Sequence, residues 1–422
     1  MNQPQRRARA VLSLALGALA LLAPASAAAD AVVDWNAQAT TSIAGVARQP
    51  PHVAWLSFAM VHGAVYDAVN GIARTHDPYL VLPAASGTES MDAAAATAAF
   101  RVLVALFPAQ APMLQARLDQ SLAAVPDGPA EAGGISAGEA AAAAMLAARA
   151  NDGRGSPFPI AIETEPGSWR PTPPVFLLDP GAWVAGVTPF LPETARLKTA
   201  GPGDLTSSEY AQDFQEVKEL GSSTSTTRTA DQSDTALFWN DPTIWARTFG
   251  SLAVARGLDS AAAARMLASA NLAGADAVIA CWREKYRWSY WRPVTAIREA
   301  SSDGNPATEE DPAWTPFLVT PPFPEYPSGH ACSSGAATHA LRHFFGTDRV
   351  AFSGFSLASN TTRSFDRFSQ ARQEVIDARV WSGIHFRTAD VDGARLGRHV
   401  ARVLRTHYLQ PLRTSKHGDK RR

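Results

Sequence analysis

Three short segments in the last third of this chain set cations and imidazoles beside residues that shape the backbone. The first is Lys285-Tyr-Arg-Trp-Ser-Tyr-Trp-Arg292-Pro293. Seven steps of ~100° return to within about 20° of one helix face, so Lys285 and Arg292 can address one target. Pro293 disfavours helix at Arg292, which predicts an arginine that sits at a helix end and reaches inward. The second segment, Pro322-Phe-Pro-Glu-Tyr-Pro-Ser328-Gly329-His330, runs into the helical stretch ACSSGAATHALRHFF. A proline, serine, glycine entry is how an exposed helix N-terminus is written, and such an end offers N–H groups and a positive dipole to an anion. His330 falls in the first turn, where an imidazole can move protons beside a bound oxyanion. The third is Arg379-Val-Trp-Ser-Gly-Ile-His385. Six residues of helix would leave the two side chains about 120° apart, so a shared target needs a break. Ser382-Gly383 supplies it, with Arg379 on one helix and His385 entering the next. Taken singly, each segment also reads as ordinary structure: solvated cations, a capped helix, a core histidine. Together they offer three cations, a hydroxyl and a helix end to one tetrahedral oxyanion, with an imidazole for each axial side. At an effective dielectric near 20 each close ion pair is worth about 4 kcal/mol before desolvation.

The ordered set K-x6-R-P, P-S-G-H and R-x5-H resembles the signature shared by vanadium-dependent haloperoxidases and the type 2 phosphatidic acid phosphatase superfamily. The resemblance implies an all-α fold of two helical bundles. It implies that Lys285, Arg292, Ser328, Gly329 and Arg379 bind the oxygens of vanadate or phosphate, and that His330 is the acid/base. His385 would be the axial vanadium ligand of a haloperoxidase or the phosphorylated nucleophile of a phosphatase. Two positions depart from the pattern: Ala378 stands where serine usually precedes the arginine, and Asp390 lies one place beyond the usual acid. Trp282 and Phe323 match aromatics that line the halide side of the pocket in chloride-competent haloperoxidases, whereas bromide-restricted relatives often carry histidine at the second position. The peroxidase branch implies hydrogen peroxide, a halide and a small organic acceptor as reactants. His330 would relay the proton, and Lys285 would polarise the peroxide. The phosphatase branch implies phosphate esters, and an exported oxyanion-binding protein without turnover is the reading from a different class.

The elements that must hold these residues are mostly helices. Apolar residues at three- and four-residue spacing predict helices over 53–71 and 91–108, an alanine-rich one over 135–150, and further helices near 207–220, 235–256 and 260–286. No alternating β-branched run competes with them. Ten of the 30 prolines fall between Gly155 and Asp204, which predicts a long ordered connection on the surface, separating an N-terminal helical half (29–204) from a catalytic bundle (205–410).

The chain has 422 residues, 46% hydrophobic and 18% charged, a globular composition too long for one small module. With 38 Lys and Arg against 39 Asp and Glu, nothing in the charge calls for nucleic acid, so an anion site must be local. Arg6, Arg7 and Arg9, the apolar run Val11 to Leu22 and Ala25-Ser26-Ala27 read as a signal peptide over 1–28, implying export. No transmembrane span is expected in the remainder, and the basic tail (411–422) is expected to be disordered. The two cysteines, Cys281 and Cys332, suit either a bridge or buried thiols. His339 and His343 lack the Glu of an H-E-x-x-H zinc motif, and His62 and Asp67 read as core or surface residues.

Overall fold

The computed structural model of the protein describes residues 31–412; the expected signal peptide and nearly all of the basic tail lie outside the described residues. Thirteen α-helices follow one another among them: α1 Ala31–Thr40, α2 Pro51–Ala73, α3 Met91–Leu106, α4 Ala111–Leu122, α5 Pro129–Arg149, α6 Ser208–Leu220, α7 Ala230–Phe238, α8 Ile244–Ala255, α9 Ser260–Trp288, α10 Pro293–Arg298, α11 Gly329–Phe345, α12 Phe368–Trp381 and α13 Arg387–His407. The architecture is all-α in two bundles. In the first, α2, α3 and α5 pack on one another, and small side chains such as Ala94, Ala98 and Ala141 at their contacts let the backbones approach closely. In the second, α9, α11, α12 and α13 surround the motif residues. Helix α9 belongs to both, because it also packs along α2, and one apolar core runs through the two bundles.

Several helix ends follow from side chains named in the sequence. Ser90, Ser207 and Asp259 each accept a backbone N–H of the first turn of α3, α6 and α9, which satisfies donors that a helix start leaves open. The single helix expected over 235–256 is instead two, α7 and α8. Pro242 cannot continue the first, and Asp241 Oδ1 accepts the Thr243 N–H at 2.8 Å, an Asx turn that competes with helix. A hairpin that periodicity did not reveal, β1 Phe352–Ser356 with β2 Thr361–Phe365, pairs antiparallel; it turns through Asn360 at φ 55°.

The proline-rich stretch has no α-helix or strand, only 3-10 turns at Ala182–Gly186 and Pro192–Arg196. It is not confined to the surface. Trp169, Asp179 and Leu191 are buried, and Asp276 of α9 accepts the Phe190 and Leu191 N–H groups and the Thr194 hydroxyl. The connection is thereby fastened to the helix that carries Lys285. Among the described residues no helix is long and apolar enough to cross a membrane.

Candidate active site

Lys285 sits in the last turn of α9, which stops at Trp288 because Ser289 turns left-handed at φ 42°. Arg292 is therefore not on the same helix face; it caps α10 ahead of Pro293 and points inward from an extended residue. Ser328 caps α11, its hydroxyl unused by the helix, with Gly329 and His330 as the first two helical residues. A Cβ on Gly329 would lie 2.9 Å from the Trp282 ring, so glycine here lets that indole press against the helix start. Arg379 lies in the last turn of α12. Gly383, at φ 77°, breaks the chain as expected, and a side chain there would collide with the Gly221 carbonyl. His385 stays in the linker before α13 rather than entering it.

Lys285, Arg292, Ser328, Arg379 and His385 are at most 1% exposed. Lys285 Nζ donates to the Pro324 and Glu325 carbonyls at 2.7 and 2.9 Å, leaving a third proton. Arg292 donates to the Phe323 and Ile384 carbonyls and lies 3.2 Å from His385 Nε2. Four buried donor atoms remain without a partner: Arg292 Nη2, Arg379 Nε and Nη1, and Ser328 Oγ. Buried donors without acceptors are costly, most of all on charged groups. Burial also pulls the cations down, Lys285 to about 8, Arg292 to about 9 and Arg379 to about 10. An entering oxyanion would supply the acceptors and the countercharge together.

The His385 imidazole has a partner that motif spacing did not announce. Glu325, fully buried, accepts from His385 Nδ1 at 2.9 Å and from the Phe386 N–H at 2.9 Å on the same oxygen. A guanidinium can only donate, so the 3.2 Å contact with Arg292 assigns the lone pair to His385 Nε2 and the proton to Nδ1. Burial and then the nearby cations hold both His385 and His330 well below the usual histidine range, so each is a neutral base at neutral pH. Burial pushes Glu325 up to about 8 against the pull of Arg292 and Lys285. Asp390, also buried, is raised by burial, with Arg379 and Arg387 opposing the rise, and both its carboxyl oxygens are likewise without a hydrogen-bond partner.

Trp282 and Phe323 stand 4.9 Å apart beside Lys285 Nζ, which lies 5.6 and 5.1 Å from their rings. The first bundle contributes His52 of α2, stacked on Trp282 at 4.3 Å. Asp179, from the proline-rich connection, lies 3.3 Å from His52 and accepts from Trp282 Nε1 and the Tyr286 hydroxyl. Nothing in the sequence marked His52 or Asp179, because their partners are 103 to 230 positions away. A lone acid within an apolar proline run was the one available sign of Glu325. Cys281 and Cys332 are buried free thiols beside this site, so the bridge left open by the sequence is not formed. His339 spends Nδ1 on the Gly335 carbonyl, and Asp67 accepts the Tyr79, Leu80 and Val81 N–H groups, a structural clamp.

The unpaired donors lead to an expected thermal shift. Phosphate or vanadate at 100 times its Kd stabilises the folded chain by about 2.7 kcal/mol, read as a rise in Tm of a few degrees that sodium chloride of equal ionic strength does not give. Identical melting curves would mean that the donors do not act on one anion.

Residues 265–414 match the family model described as VCPO second helical-bundle domain. Over 92 residues the chain is 38% identical to vanadium chloroperoxidase of Curvularia inaequalis, a match covering 19% of this chain and 14% of that protein. The alignment thus spans a small part of that relative's length. The crystal structure of the first bacterial vanadium-dependent iodoperoxidase superposes with a TM-score of 0.76 at 26% identity, covering 91% of this chain and 97% of that one. A holo-type bacterial vanadium-dependent chloroperoxidase superposes with a TM-score of 0.67 at 16% identity over 85% of this chain and 92% of the other, a likeness of fold.

Proposed function

This chain belongs to the superfamily of vanadium-dependent haloperoxidases and type 2 phosphatidic acid phosphatases, and on that premise we propose that it is a vanadate-dependent haloperoxidase, oxidising halide with hydrogen peroxide. The observation that carries the reading is the set of four unpaired buried donors on Arg292, Arg379 and Ser328 beside the lone pair of His385 Nε2. They fit a tetrahedral oxyanion, with His385 Nε2 as the nitrogen that would hold its central atom. Lys285, Arg292, Arg379, Ser328 and the Gly329 N–H would hold the vanadate oxygens, and His385 Nε2 the metal. When bound, vanadate supplies the Lewis acidity that activates peroxide toward halide.

The rest of the work falls to the chain. Glu325 holds His385 in the tautomer whose Nε2 carries the lone pair. His330, neutral because burial and three cations disfavour its charge, would accept the proton that peroxide gives up. Lys285, with two N–H groups on the Pro324 and Glu325 carbonyls, would have its third to polarise bound peroxide. Trp282 and Phe323 wall the halide side and keep it partly dry. We propose that Phe323→His lowers chloride oxidation several-fold more than bromide oxidation, because chloride is harder to oxidise and depends more on an undisturbed apolar wall. Steady-state rates with the two halides decide it, and equal losses would reduce Phe323 to packing.

The His385–Glu325 pair also suits a nucleophile, as in a phosphatase working through phosphohistidine, and that is the second reading. The two share the anion site, so the test is reconstitution. Chelator-treated protein should lack peroxide-dependent halide oxidation, regain it saturably with orthovanadate, and regain it more slowly in millimolar phosphate. Activity indifferent to vanadate would refute the proposal.

A further inference from the structure

We infer that the cavity in front of the oxyanion donors is a binding site for an electron-rich aromatic acceptor bearing a carboxylate. The chemistry done there rests on the peroxidase reading; the binding does not. The cavity holds about 540 Å³, whereas halide and peroxide each need little more than a water's share of ~30 Å³. Its size falls instead in the roughly 300–1,000 Å³ range of small-molecule sites. One end closes on His330, Arg379 and His385, and the walls are aromatic: Trp55 and Phe58 from α2, and Trp239 and Trp245 from the break between α7 and α8 and the start of α8. Trp239 and Trp245 lie 5.5 Å apart, and flat π surfaces of this kind favour a flat ring.

The charges at the cavity select what else that ring carries. Its two carboxylates are engaged, Asp179 by His52, Trp282 and Tyr286, and Asp241 by Arg247 and Thr243. Arg48 is exposed at the mouth and, among the described residues, has no ion pair or side-chain hydrogen bond. A free guanidinium on the lining of a largely aromatic cavity fits a carboxylate carried by a ring. With hypohalous acid formed at the cavity floor, the ring carbon bonds the halogen, the oxygen–halogen bond breaks, and the ring proton leaves with hydroxide as water.

Calorimetry on the full chain with the oxyanion donors saturated by phosphate, and without peroxide or halide, tests the site with 4-hydroxyphenylacetate and 4-methylphenol. Both should bind, the acid about tenfold more tightly. Arg48→Ala should remove that preference and leave the affinity for 4-methylphenol within twofold. Ala44→Trp, which fills the cavity from a half-buried position at its rim, should weaken both ligands at least tenfold. No binding at millimolar ligand, equal losses for both ligands in Arg48→Ala, or unchanged binding in Ala44→Trp would overturn the inference. Aromatic binding in a protein that oxidises no halide would uphold the site and defeat the peroxidase reading.

Discussion

His385→Ala lowers vanadate-dependent halide oxidation by at least about a thousandfold, and any phosphate-ester hydrolysis with it. On the proposed reading His385 Nε2 is the one group that either chemistry requires and that nothing nearby can replace. Groups that act as a unit lose nearly all of their effect when one is removed. Arg292 and Glu325 would be left facing a cavity where the imidazole stood, but neither offers a lone pair of the right basicity. The cations remain, so the alanine variant should still bind phosphate, weakened yet measurable by calorimetry. That split separates loss of the ligand atom from loss of the fold. A variant with near-full turnover would remove His385 from the chemistry.

The second large effect is expected at Glu325. Partners that orient a metal-ligating histidine are typically worth about 10–100-fold in affinity, and Glu325→Ala should weaken vanadate binding by that factor. It leaves His385 Nδ1–H and the Phe386 N–H without an acceptor. Glu325→Gln keeps an acceptor oxygen and should lose less. Nitrogen NMR of the imidazole reads the cause directly. His385 should carry its proton on Nδ1 in the parent and in Glu325→Gln, and a mixture of tautomers in Glu325→Ala. Parent-like tautomers and affinity in the alanine variant would make Glu325 a mere filler of space.

How far the site was legible depended on the kind of contact involved. Ser328, Gly329 and His330 follow one another at a helix start, and the break at Gly383 is local, so spacing alone carried them. The Lys285–Arg292 relation was read as one helix face, but α9 ends three residues after Lys285. The two side chains meet because Arg292 reaches in from a cap, a relation that no periodicity encodes. Glu325 was in view as a residue and invisible as a partner, because its target is 60 positions away. The same holds for His52 and Asp179, which approach Trp282 only through packing of the first bundle and the proline-rich connection onto α9. Long helices with apolar stripes were readable. The split of 235–256 and the hairpin at 352–365 were not, since a short Asx turn and a two-stranded ladder leave little periodic signal.

The account rests on which reaction the anion site serves. Purified protein should be assayed side by side for peroxide-dependent oxidation of chloride, bromide and iodide and for hydrolysis of a phosphate monoester, each with and without stoichiometric orthovanadate. The account predicts halide oxidation that appears only with vanadate, together with ester hydrolysis that is slow and that vanadate suppresses. Efficient ester hydrolysis by vanadate-free protein, with no halide oxidation once vanadate is bound, would contradict it.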